Sequence, residues 1–275
     1  MRKAICQYSF HRTYEKKKWT PDRFAAQVAA LGIEGIDFHV RYLDDPETAA
    51  GQISRAVQDH GLVLAGLSMS NDLNKENDVA FQDEIKSVKR WIAVAAQVQA
   101  PVSRIFGGHL EQRHRNDRVL TDFARQRITD GLEQLAAEAE KLSVVLGLEN
   151  HGGLPCLAQQ QIEVIRKVNS PCLKATIDVG NYMEGGQEGH VATELVAEHA
   201  VYVHFKDFRK IPCNENPWGW KPQACVLGEG DVDHAACLIA LEQAGYGGFV
   251  ALEYEAEEDE LLAVPRSVQY MNQFL

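Results

Sequence analysis

Short apolar runs alternate with longer segments in which apolar residues recur every three or four positions, and the alternation runs the length of the chain. The short runs predict strands over residues 4–10 (AICQYSF), 35–40 (GIDFHV), 62–70 (LVLAGLSMS) and 101–108 (PVSRIFGG). Four more are predicted over 144–150 (VVLGLEN), 173–180 (LKATIDVG), 201–207 (VYVHFKD) and 247–254 (GGFVALEY). Runs of this length between turn residues suit buried strands. The intervening segments read as helices. The first has Thr20 as its N-cap, Pro21 at the first helical position, and Phe24, Val28 and Leu31 at i, i+4 and i+7. The longest, about 117–143, sets Leu120, Phe123, Leu132, Leu135, Ala139 and Leu142 on one face. The last follows an acidic run and gathers Glu257 to Glu260 at its N-terminus, where the helix dipole favours negative charge.

Eight strands, each followed by a helix, call for a parallel sheet, and eight such units close most naturally into a single (β/α)8 barrel spanning 1–275. A doubly wound open sheet shares the periodicity, but no G-x-G-x-x-G follows the first strand.

Composition narrows the partners. Lys and Arg total 28 against 39 Asp and Glu, a formal charge of −11 that repels nucleic-acid phosphates and anionic lipid. The opening MRKAICQYSF lacks the apolar core of a secretory signal, and no window reaches the length of a membrane span, so the cytoplasm is the expected location. Six cysteines (Cys6, Cys156, Cys172, Cys213, Cys225, Cys237) without C-x-x-C spacing suit reduced thiols.

Chemistry in such barrels sits at the C-terminal ends of the strands. The last four predicted strands end in Glu149, Asp178, His204 and Glu253. Any one of these has an ordinary explanation as a cap, a rim charge or a core histidine. Barrel closure, however, points all four at one centre, where three carboxylates would repel one another and one divalent cation would neutralise them. Three carboxylates and one imidazole form a hard, oxygen-rich set suited to Mn²⁺ first, with Mg²⁺ or Co²⁺ as alternatives. A set without thiolates argues against structural zinc.

The segments GLENHGG, IDVGN, VHFKD and ALEYE resemble those of the xylose isomerase-like TIM-barrel superfamily, in particular its sugar phosphate isomerase/epimerase group. The resemblance implies a metal-dependent isomerase or epimerase acting on a sugar, keto-sugar or polyol derivative, by proton abstraction next to a carbonyl and a metal-stabilised enediolate. It implies that Glu149, Asp178, His204 and Glu253 bind the metal and that Glu149 and Glu253 also handle protons. Relatives of this group are often dimers or tetramers, so a homo-oligomer is an expectation as well. Ketose 3-epimerases usually carry histidine three residues after the strand-six Asp; this chain has Asn181 there.

Side-chain alternation turns His151 the same way as Glu149, and Lys206 the same way as His204; His151 reads as a proton shuttle or substrate-hydroxyl contact, or else as a residue that holds a metal ligand in place, and Lys206 as a substrate-site cation that stabilises developing negative charge. Lys206 reads equally as a rim lysine paired with Asp207. Asn181, His109 and Trp218 complete the expected substrate-binding set, with Trp218 and Trp220 lying in a Pro/Gly-rich loop. Asn150 reads as structural and Arg104 as one half of a rim salt bridge. Glu34, Asp37 and His39 would line the floor or cap a turn. Gly228 to Asp233 (GEGDVD) faintly resembles a phosphate-binding turn.

Within the resemblance a lyase is the main rival: a dehydratase of inosose or dehydroshikimate type, or a 3-keto-glycoside eliminase. An endonuclease IV-like nuclease shares the LEN motif but needs a trinuclear zinc site with further histidines; here the third strand ends in Ser68-Met69 and position 181 is Asn. A non-catalytic sugar-binding barrel is the remaining reading.

Overall fold

A computed structural model of the chain describes residues 1–111, 114 and 117–275. The strands are β1 (Arg2–Cys6), β2 (Gly35–His39), β3 (Val63–Ser68), β4 (Ser103–Phe106), β5 (Gly108–His109), β6 (Leu146–Glu149), β7 (Gly153–Leu154), β8 (Leu173–Asp178), β9 (Ala200–Phe205), β10 (Phe208–Pro212), β11 (Trp220–Ala224) and β12 (Phe249–Leu252). The helices are α1 (His11–Lys17), α2 (Pro21–Ala30), α3 (Pro46–Asp59), α4 (Asp78–Gln97), α5 (Arg118–Leu142), α6 (Ala158–Val168), α7 (Gly189–Val196), α8 (His234–Gln243) and α9 (Glu260–Met271). Eight parallel strands close in the order β1-β12-β9-β8-β6-β4-β3-β2, the expected (β/α)8 barrel. No helix among the described residues is long and apolar enough to cross a membrane.

Local chemistry starts and stops the elements much as the sequence suggests. Thr20 accepts a hydrogen bond from the Arg23 amide with Pro21 in the first turn of α2, and Asp117 accepts from the Val119 and Leu120 amides at the start of α5. On α5, though, Leu120 and Phe123 are exposed; the buried stripe is Ala124, Ile128, Leu132, Leu135 and Ala139.

Two further expectations need correction. The first strand stops at Cys6, and residues 7–10 form a 3-10 turn leading into α1. The start of α1 is held from the far end of the chain: buried Glu260, in the first turn of α9, accepts hydrogen bonds from the Arg12 and Thr13 amides. After β9 the expected loop is an antiparallel hairpin, β10 with β11, and Trp220 pairs with Pro212 in its ladder.

The barrel interior is layered. Ala4, Ala65, Val102, Tyr202 and Ala251 form a small apolar cluster with Phe249, separate from the core between strands and helices. On β1, β4, β9 and β12, two residues further along each strand's line, stand Cys6, Arg104, His204 and Glu253, all buried, in accord with the two-residue period. Asp37, Ser68, Glu149 and Asp178 from the other four strands complete this polar layer.

Candidate metal centre

Side chains of the four predicted ligands converge. Glu149, Asp178, His204 and Glu253 are all buried, and each offers one donor atom such that these atoms lie within 4.8 Å of one another. His204 Nδ1 is 3.4 Å from Glu149 Oε1 and 3.4 Å from Glu253 Oε2. Among the described residues Glu149 Oε2, Asp178 Oδ2, His204 Nδ1 and Glu253 Oε2 are buried without a hydrogen-bond partner, so every member of the quartet has such an atom. Buried polar atoms are rarely left so. A hard divalent cation fits this donor set and would satisfy all four.

Backbone contacts hold the quartet in place. Asp178 Oδ1 accepts from the Gly180 and Asn181 amides at 2.9 and 3.0 Å, which leaves Oδ2 to turn inward. Asn150 clamps β6 to β8, donating to the Asp178 carbonyl at 2.8 Å and accepting from its amide at 2.9 Å, the structural role expected of it.

Two cations share the site. Lys206 Nζ lies 3.0 Å from Glu253 Oε2, 3.3 Å from Asp178 Oδ2 and 3.0 Å from Glu255 Oε2. It also donates to Asn181 Oδ1 at 3.2 Å. Arg104, expected on the rim, is instead fully buried, with Nε 3.1 Å from Glu149 Oε2, Nη1 donating to the Met69 carbonyl, and Cζ 4.0 Å from the Phe106 ring centre.

These charges set the protonation states. Burial works to raise the Glu253 pKa, but Lys206 and His204 outweigh it and hold that carboxyl well below the usual range. Burial likewise opposes ionisation of Glu149, yet Arg104 and His204 carry its pKa below normal. For Asp178 burial wins over Lys206, and the pKa rises to about 7. Burial works to lower the His204 pKa, and Glu149 and Glu253 override it, holding the imidazole well above its ordinary value.

Residues 25–274 match the family model of the xylose isomerase-like TIM barrel. The chain belongs to the xylose isomerase-like TIM barrel family. An L-ribulose-5-phosphate 3-epimerase, UlaE of Salmonella typhi, is 23% identical over 84% of this chain and 78% of its own length. Among solved structures, the probable 3-DHS dehydratase AsbF of Bacillus anthracis aligns with a TM-score of 0.75 at 16% identity over 100% of both chains. The IOLI protein, whose structure contains a zinc atom, aligns at 0.75 with 16% identity over 99% of this chain and 96% of its own. The named proteins include a sugar-phosphate epimerase and, among the structures that share the fold, a probable dehydratase; this member of the family is an enzyme.

The remaining candidates fall at different distances from the quartet. His151 joins it through Asn181, whose Nδ2 lies 3.3 Å from His151 Nδ1 and 3.4 Å from Glu149 Oε1, while the His151 ring packs on Phe106. His109 is exposed on the short β5·β7 ladder. Trp218 lines a neighbouring cleft with Leu110, Leu157 and Gly185. Glu34 is exposed and bonded to Arg2, and His39 accepts from the Arg41 amide as a turn cap.

Asp207, the partner of Lys206 in the alternative reading of that lysine, is placed elsewhere. Its carboxylate accepts from the Gly228, Gly230 and Val232 amides, so the GEGDVD turn cradles the chain's own acid. The phosphate reading of that turn is thereby corrected. Glu255 and Cys6 were not expected in the site. Glu255 carries a signal in the sequence, since it follows Glu253 by two positions; Cys6 does not, because the first strand reads through to residue 10 and its end at Cys6 is visible only in the structure.

Proposed function

We propose that this chain is a divalent-metal-dependent isomerase or epimerase acting on a sugar, keto-sugar or polyol derivative through proton abstraction next to a carbonyl. The observation that carries the reading is the convergence of four buried donor side chains on one centre, each with a buried atom that makes no hydrogen bond and meets only the charged groups of the site. Glu149, Asp178, His204 and Glu253 would hold the cation, with Mn²⁺ favoured and Mg²⁺ or Co²⁺ the alternatives for an oxygen-rich set. When bound, the ion supplies Lewis-acid polarisation of the substrate's carbonyl and adjacent hydroxyl oxygens.

The chain's own residues do the rest. Glu149 and Glu253, held ionised on different strands, flank the substrate as the carboxylates that remove and return a proton. Lys206, raised well above the usual lysine range despite its burial because of Asp178, Glu253 and Glu255, stays an ammonium and balances negative charge that develops on substrate oxygen. Asn181 and His151 offer polar atoms to substrate hydroxyls beside Glu149, and His109 and Trp218 would bound the outer part of the site.

The test is the product formed in D₂O from ketoses, inososes and 3-keto-glycosides with and without Mn²⁺. Metal-dependent deuterium incorporation next to the carbonyl, in a product otherwise of unchanged composition, is the expected result. Loss of water or of an aglycone would make the chain a lyase instead. Absence of exchange with every substrate would leave only the sugar-binding reading.

A further inference from the structure

The two ring nitrogens of His204 face different groups. Nδ1 points to Glu149 Oε1 and Glu253 Oε2, at 3.4 Å each, and Nε2 points across the barrel to Asp37 Oδ2 at 3.8 Å. Nε2 is buried and has no hydrogen-bond partner among the described residues. Asp37 is held firmly where it stands. Ser68 Oγ donates to both of its oxygens, at 3.0 and 2.8 Å, and the Tyr202 hydroxyl donates to Oδ2 at 3.0 Å. Tyr202 also sets its ring edge-on to the His204 imidazole, with centroids 5.0 Å apart.

We propose that Asp37 is a positioning residue that selects the His204 tautomer competent to bind the metal. The inference rests on the metal-centre reading above. A neutral imidazole carries one proton, and if Nδ1 is to give its lone pair to a cation that proton must sit on Nε2. The Asp37 oxygens already accept from Ser68 and Tyr202 and so face His204 as acceptors, which stabilises Nε2–H and disfavours the opposite tautomer. Histidine ligands commonly donate their second ring N–H to such a group, which fixes ring orientation as well as tautomer. Ser68 and Tyr202 contribute by preventing the Asp37 carboxylate from turning away.

One rival use of the same atoms must be separated. Cys6, Asp37 and His204 form a second grouping whose potential donor atoms lie within 4.8 Å of one another. In that case Asp37 would be a ligand of a second ion rather than an orienting acceptor.

Calorimetric titration of chelator-treated full-length protein with Mn²⁺ distinguishes the cases. The wild type is expected to take up one ion per chain, and Asp37→Asn, whose amide can turn a donor toward Nε2, is expected to bind it about 10–100-fold more weakly. Tyr202→Phe should shift affinity in the same direction by less, and it keeps the test open should the Asn variant fold poorly. Asp37→Glu should restore most of the affinity. In zinc-loaded wild type, ¹⁵N NMR should show a slowly exchanging Nε2–H on His204 that Asp37→Asn loses, a change that mere loosening of the barrel would not produce. Two ions per chain, or an Asn variant with wild-type affinity, overturns the proposal while leaving the metal centre standing. A wild type that binds no divalent ion overturns both.

Discussion

Four strand ends, on β6, β8, β9 and β12, bring Glu149, Asp178, His204 and Glu253 into the polar layer, and the other four, on β1 to β4, bring Cys6, Asp37, Ser68 and Arg104. Both halves are buried and polar, yet they are bonded differently. In the first half Asp37 has hydroxyl donors on both oxygens and Arg104 donates through Nη1 to a backbone carbonyl, while its Nε makes no hydrogen bond. In the second, every member keeps an atom without a hydrogen-bond partner. The carboxylates of the second half are balanced by the ammonium and guanidinium of Lys206 and Arg104, whereas Asp37 is met by hydroxyls. On the proposals above, one half would orient and the other would bind.

The largest effect should come from breaking the second half. Glu253→Gln keeps shape and can still offer an oxygen, but an amide cannot take up the proton. Turnover should fall by about 10²- to 10⁴-fold even at saturating Mn²⁺, and Glu149→Gln should do the same. Full activity of either variant with metal bound, measured by initial rates and deuterium exchange, would remove these carboxylates from the acid/base role.

The first half is broken next, at Arg104. Its guanidinium is the largest of the fully buried side chains and stands against an equally buried Glu149. Arg104→Met strands that carboxylate without its cation, and removing one partner of a buried pair costs about 3–5 kcal/mol. Denaturant unfolding of the metal-free variant should show that loss, and added Mn²⁺ should recover part of it by supplying a substitute charge. A variant as stable as the wild type would show that Arg104 and Glu149 do not depend on each other.

The contrast between the halves also explains what could be read without coordinates. The second half was legible because Glu149, Asp178, His204 and Glu253 end consecutive predicted strands and share one chemistry. Arg104 is misplaced on the rim because a lone arginine in an apolar run gives no sign of an acid two positions further along the neighbouring strand, where Glu149 stands opposite Phe106. Asp37 and Glu34 lie three positions apart on one segment, and only the direction of the barrel interior separates a buried acceptor from an exposed partner of Arg2. Glu260 and Asp207 look like ordinary helix-start and rim acids, yet each is spent on amides of a segment distant in sequence. The hairpin β10·β11 was missed because Pro212, Pro217 and Pro222 within 11 residues read as loop, although an isolated two-stranded ladder tolerates proline at its edges.

A smaller and graded effect comes from pH, and it separates members within the second half. Glu149 and Glu253 are already held ionised by their cations, so they give up no proton when metal binds near neutrality. Asp178 differs: burial lifts its pKa to about 7, so the fold itself holds a proton there. A folded-state pKa above the unfolded one contributes stability that is complete below about pH 3.9 and is lost as pH rises through about 7. Metal-free protein should accordingly lose melting temperature across that window. Metal binding runs the other way, because coordination needs the ionised carboxylate and an unprotonated Nδ1 on His204, whose pKa is also raised. Mn²⁺ affinity should climb with pH, by about tenfold per unit below 7 from Asp178 alone, with His204 steepening the rise. Asp178→Asn, which cannot hold that proton, should bind Mn²⁺ more weakly at neutral pH and show a shallower slope. Equal slopes for wild type and variant, in titrations across several buffers, would mean that the proton displaced by the metal comes from elsewhere in the layer.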